Sequence, residues 1–115
     1  VFEAKFTADA KQDVRALPKN IRNSLREKLE TVVCVNPETC AEELSGPLAG
    51  FRSYHCKDYR IIYKVFPETE QIAIVGIGKK DADHHAEIYK QLENLAAAGK
   101  LATEVLSNIR MIQSN

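Results

Sequence analysis

The sequence has no surplus of either charge: Lys plus Arg number 16 and Asp plus Glu number 16 in 115 residues. Nucleic-acid binders usually carry a basic excess, so the balance argues against a broad electrostatic footprint and leaves room only for a local one. Long hydrophobic runs are missing as well. No stretch of about 18 apolar residues is available to cross a bilayer, and no basic start leads into an apolar segment with a small-residue cleavage site. The expectation is a soluble, cytoplasmic protein with no membrane partner. Cysteine is scarce, and Cys34, Cys40 and Cys56 are odd in number and without C-x-x-C spacing. Neither a complete disulfide framework nor a zinc knuckle is indicated, and a reduced compartment fits. Repeats and low-complexity tracts are absent.

What is present suffices for one modest core: 44% of the residues are apolar, in a chain the size of an ordinary domain. A single domain over 1–115 is expected, with 81–115 as a C-terminal helical extension. Phe2, Ala4 and Phe6 alternate as in a short edge strand. Thr7 offers an N-cap hydroxyl, and Ala10, Val14 and Leu17 follow at helical spacing. Pro18 opens a second helix, in which Ile21, Leu25, Leu29, Val32 and Val33 form one apolar stripe that ends near Asn36-Pro37.

From Asn36 to Gly50 the chain is broken by Pro37, Gly46, Pro47 and Gly50. This predicts a loop, with one helical turn around Ala41 to Leu44. Three β-type segments come next, Phe51 to Cys56, Tyr59 to Phe66 and Gln71 to Ile77, and their short connections imply antiparallel neighbours. Beyond Asp81 the apolar spacing predicts two helices separated at Gly99-Lys100. The fold class is α+β: an antiparallel sheet of about four strands in the order β-α-α-β-β-β, with an N-terminal two-helix layer and C-terminal helices.

Alternation along Tyr59 to Phe66 puts Tyr59, Ile61, Tyr63 and Val65 on the core face and Arg60, Ile62, Lys64 and Phe66 on the less covered one. For Arg52 and Tyr54 to share the face of Arg60, the intervening turn must contain an odd number of residues, such as Cys56-Lys57-Asp58. A two-residue turn at Lys57-Asp58 instead pairs His55 with Arg60, because a slip of one residue exchanges faces. The strand pattern favours the three-residue turn.

Three strings carry a family resemblance: Leu44-Ser45-Gly46-Pro47-Leu48-Ala49-Gly50-Phe51-Arg52, then Asp58-Tyr59-Arg60-Ile61-Ile62-Tyr63-Lys64-Val65, then Ile74-Val75-Gly76-Ile77-Gly78-Lys79-Lys80. Together with Leu17-Pro18-Lys19 and Asn36-Pro37, they resemble the RelE/ParE toxins over roughly Phe2 to Tyr89. The resemblance implies an antiparallel sheet, a two-helix layer, and an antitoxin that wraps the toxin. Many RelE-like members cut messenger RNA in the ribosomal A site without metal, whereas ParE-like members inhibit DNA gyrase. The resemblance does not separate the two. The expected function is that of a toxin acting as a metal-independent endoribonuclease, with an antitoxin, messenger RNA and the ribosome as partners and no cofactor; the alternatives are a non-catalytic inhibitor with DNA gyrase as its partner, or an inactive relative kept as a binding module.

The resemblance also marks site residues. Arg60 matches the family's catalytic arginine, and a permanently charged guanidinium suits phosphorane stabilisation; the alternative is a surface ion pair. Arg52 stands where RelE-like toxins carry a basic strand residue, while Tyr54 replaces a second base two positions later. Lys80 matches the basic residue after the last strand, with Lys79 beside it for substrate contact. Tyr89 matches a C-terminal tyrosine able to stack on a base, or else is helix core. Proton transfer near neutrality falls to histidine. His85 is placed in the catalytic set and His84 in substrate contact, while the favoured register turns His55 inward. No ligand spacing supports a zinc site from these histidines and a cysteine.

Overall fold

The computed structural model describes residues 1–79 and Lys90. The two C-terminal helices expected beyond Asp81, and the extension over 81–115, lie outside the described residues apart from Lys90. Within them the order is β1 (Glu3–Phe6), α1 (Ala8–Ala16), α2 (Lys19–Lys28), β2 (Glu42–Glu43), β3 (Phe51–Cys56), β4 (Tyr59–Phe66) and β5 (Gln71–Lys79). The strands form one five-stranded sheet in the order β1-β5-β4-β3-β2.

The α+β class and the two-helix layer agree with the sequence pattern, and two details of the sheet differ from it. First, β1 runs parallel to β5, pairing Glu3 with Gln71 and Phe6 with Ile74, so the sheet is mixed. The helical hairpin makes this possible, since it carries the chain from β1 back over the sheet before the antiparallel meander begins. Second, the helical turn expected at Ala41 to Leu44 is instead the two-residue strand β2, with Glu42 opposite Ser53 and Glu43 opposite Arg52. Both glutamates are exposed and β-unfavourable. Pairing with β3 overrides their local preference.

Thr7 caps α1 as expected, its side-chain oxygen accepting from the Ala10 N–H at 3.3 Å. The α2 stripe then buries Leu25 and Leu29 against Ile61, Tyr63, Ile72, Ile74 and Ile77 of the central strands. At Leu29 the helix widens by one residue, and the Cys34 N–H donates to the Leu29 carbonyl five positions back at 2.8 Å. Tyr63 is fully enclosed, and its hydroxyl donates to the Pro37 carbonyl at 2.6 Å, holding the following loop on the sheet.

In β5 the register shifts between Ile62 and Tyr63, since Tyr63 pairs with Ile74 and Ile62 with Gly76. Val75 is therefore an inserted residue, a β-bulge. Before it, Ile72 and Ile74 face the helices; after it, Ile77 does.

Candidate functional site

The site is fixed by the turn between β3 and β4. Lys57 and Asp58 alone connect the strands, with Lys57 at φ 53, and the pairs are Cys56 with Tyr59, His55 with Arg60, Ser53 with Ile62 and Phe51 with Lys64. The three-residue turn favoured by the alternation is thereby corrected. A left-handed lysine in a two-residue turn has no Asn-Gly or Asp-Gly signature to announce it.

The consequence is a reassignment of faces. Arg52 pairs with Tyr63 and Tyr54 with Ile61, so both lie on the helix-covered face, opposite Arg60. Arg52 donates through Nη1 to the Ala41 carbonyl at 3.2 Å and clamps the loop before β2. Tyr54 packs against the main core. Burial raises its phenol above the ordinary tyrosine range, and the neighbouring thiols Cys56 and Cys40 add to the shift. Lys79 pairs with Tyr59 and also faces the helix side, at the exposed end of β5. The expected convergence of Arg52, Tyr54, Arg60 and Lys80 on one face does not form. Lys80, His84, His85 and Tyr89 lie outside the described residues.

The other face brings together a different set. His55, Arg60 and Gly78 form one cross-strand row, Ser53, Ile62 and Gly76 the next, and Phe51, Lys64 and Ala73 the third. Directly opposed residues hold their Cβ atoms about 5 Å apart, which puts the imidazole and guanidinium groups within reach of one small ligand. Both side chains are half-buried. Gly78 contributes no side chain beside Arg60, and the Nε of the guanidinium is nonetheless buried. The Lys64 ammonium is held over two rings, 5.5 Å from the Phe51 centroid and 5.8 Å from that of Phe66. The centre of this face is not open, however. Ile62 and Ser53 are each 1% exposed, against the expectation of a lightly covered surface.

Arg60 is thus the one predicted residue among the described ones that stands on this face. His55, set aside by the favoured register, joins it, and the two-residue turn was the signal that pointed to it. Lys64 was legible as a same-face neighbour of Arg60 four residues along.

A second feature lies across the sheet. A groove of about 590 Å³ runs between β1 and the helical hairpin, with Phe2, Phe6, Val14, Leu17, Leu25 and Leu29 among its walls. Lys11, Arg15, Arg22 and Arg26 stand along it, against Glu3 and Glu30. It is an apolar slot with a basic rim.

Residues 4–84 match the family model described as the ParE toxin of the type II toxin–antitoxin system parDE. The chain is 25% identical over 83 residues to toxin RelE of Mycobacterium tuberculosis, covering 72% of this chain and 86% of that one. It is 27% identical over 90 residues to toxin RelG of the same organism, covering 78% and 98%. Among solved structures, the RelBE2 toxin–antitoxin complex of M. tuberculosis superimposes with a TM-score of 0.63 at 25% identity, covering 66% of this chain and 94% of that one. The isolated Escherichia coli RelE toxin, at 23% identity and a TM-score of 0.62, shares the fold, covering 80% of this chain and 99% of that one. With the family model spanning well over half of the chain, the protein belongs to the RelE/ParE superfamily of toxins from type II toxin–antitoxin systems.

Proposed function

We propose that the chain is an endoribonuclease that cuts messenger RNA on the ribosome in the cytoplasm, and that Arg60 and His55 carry the reaction. The supporting observation is their direct opposition across β3 and β4, on the face away from the helices. Cleavage without a metal needs the 2′-hydroxyl deprotonated, the charge on the phosphorane neutralised, and the 5′-oxygen released with a proton. His55 takes the 2′-hydroxyl proton, since imidazole moves protons in both directions near neutrality. The 2′-oxygen then attacks the adjacent phosphorus, and the Arg60 guanidinium forks onto the non-bridging oxygens. A 2′,3′-cyclic phosphate and a 5′-hydroxyl end result, the latter protonated from solvent. Lys64 adds positive charge along the RNA path, although its two ring contacts restrain its reach.

The partner on this reading is a cognate antitoxin, as in the RelBE complexes that share the fold. The apolar groove with its basic rim suits an acidic amphipathic segment of such a partner, apolar side down.

Induction of the chain alone tests the reading. Growth should arrest, and primer extension on translated messages should show new 5′ ends. Arg60→Ala should slow cleavage by about 10²–10³ and His55→Ala by about 10²–10⁴, with the fold intact by circular dichroism. Whole transcripts alongside failed gyrase supercoiling would replace this reading with gyrase inhibition, the activity of ParE-like members.

A further inference from the structure

The β5 strand reaches Arg60 through a stretch that β1 does not support. β1 ends at Phe6, opposite Ile74, and its last bond to β5 is from the Thr7 N–H to the Ile74 carbonyl at 3.0 Å. The Val75 bulge comes next, and its extra residue shifts the backbone alternation by one. Up to Ile74, the even-numbered groups of β5 point toward β1. After the bulge Gly76 and Gly78 turn toward β4, and Ile77 points to the side where β1 has run out. A buried backbone N–H without an acceptor is costly, and Ile77 is 5% exposed.

The acceptor comes from 64 residues away in sequence: Asp13 Oδ2, on α1, takes the Ile77 N–H at 3.1 Å. A carboxylate makes this bond stronger than a neutral one. Ile77 is the direct neighbour of Gly78, and Gly78 is the cross-strand partner of Arg60. The bond therefore ties α1 to the strand that backs the arginine.

We propose that Asp13 is a positioning residue for the cleavage reaction: its carboxylate fixes the end of β5 and thereby the row formed by Gly78, Arg60 and His55. This role rests on the ribonuclease reading given above. Asp13 touches neither the RNA nor the reacting atoms; it acts through the Ile77 amide. Loss of the tether lets β5 fray beyond the bulge and leaves Arg60 without a fixed neighbour on one side. Misplacement of a catalytic group by about 1 Å can cost 10²-fold in rate.

The test uses the full chain and compares Asp13→Ala, Asp13→Asn and a control, Val33→Ala, which weakens the core while leaving the Asp13 carboxylate and the Ile77 amide in place. Val33 is fully buried in the helix-side cluster. Single-turnover cleavage of a ribosome-bound message is measured against ribosome concentration, with amide exchange of Ile77 and Gly78 followed in parallel. Asp13→Ala should lower the maximal rate on the order of 10-fold to 100-fold with half-saturation unchanged, and should speed exchange at both amides. Asp13→Asn keeps an oxygen acceptor and should recover most of the rate. Val33→Ala, compared at the same distance below its melting temperature, should cleave at the wild-type rate. An Asp13→Ala protein that cleaves normally, exchanges normally, or loses no more than Val33→Ala overturns the role while leaving the ribonuclease reading standing. A wild-type chain that cuts no RNA removes both.

Discussion

Replacing Tyr63 by Phe removes one hydroxyl from the centre of the fold. The ring is fully buried among the helix-side residues, so its packing survives the change. What goes is the 2.6 Å bond to the Pro37 carbonyl and the 3.4 Å contact between the hydroxyl and the Cys40 sulfur. Pro37 is itself buried, so its oxygen is stranded rather than returned to water. The cost is then that of an unsatisfied buried acceptor, about 1–3 kcal/mol. At about 4–6 °C per kcal/mol for a domain of this size, the melting temperature should fall by roughly 4–18 °C at pH 7. The alkaline limb adds a second signature. Burial first, and the Cys40 hydrogen bond second, raise the Tyr63 phenol well above its ordinary value of 10.0. The unfolded chain ionises this group near 10 while the folded chain holds it neutral. Its contribution is therefore complete below pH 10 and is lost as pH rises above it. Thermal unfolding followed by circular dichroism from pH 7 to pH 11 should show wild type losing stability at the alkaline end faster than Tyr63→Phe. A melting temperature within 1 °C of wild type at pH 7, together with parallel alkaline slopes, would refute the reasoning.

Two further outcomes can be checked. Gly50 sits at φ +92 and Gly46 at φ +67, and a methyl group at either would meet nothing within 4 Å. Alanine at Gly50 should therefore cost on the order of 1–3 kcal/mol from backbone strain alone, and less at Gly46, which is nearer the left-handed helical minimum; urea unfolding measures both. Along the groove, Arg22→Glu with Arg26→Glu reverses charge without touching the core, and calorimetric titration with the cognate antitoxin should show weaker binding whose salt dependence is reduced.

The sequence made the interior of the sheet legible because alternation is a local signal. Ile61 and Tyr63 pack beneath Leu25 and Leu29 as their spacing requires, and Arg60 falls on the opposite face. Three features had no local signal. The parallel pairing of β1 with β5 joins segments nearly seventy positions apart. The β2 strand is two glutamates long, too short for a period to show. The turn at Lys57-Asp58 uses a positive φ at a lysine, and that one residue decided the face of every side chain in β3. Arg52 and Tyr54 consequently lie with the helices and His55 with Arg60. Asp13 was invisible for a different reason: its partner is a backbone amide, exposed by a bulge that side-chain types do not encode.

The parallel pairing also sets an order of events in synthesis. β1 leaves the ribosome first, yet the strand it must join ends at Lys79. At about 5–20 residues per second, the residues between them take roughly 3–13 s to appear. Throughout that interval the helical hairpin has no sheet to cover, and the Ile77 amide that Asp13 awaits does not yet exist. His55 and Arg60 can pair in the hairpin earlier, but the strand that backs them comes last. A nascent chain of this toxin is therefore structurally incomplete at its proposed active row until nearly all of the described fold has been made, and the groove beside the helical hairpin, whose walls include Ile61 and Ile77, is completed only with that same last strand.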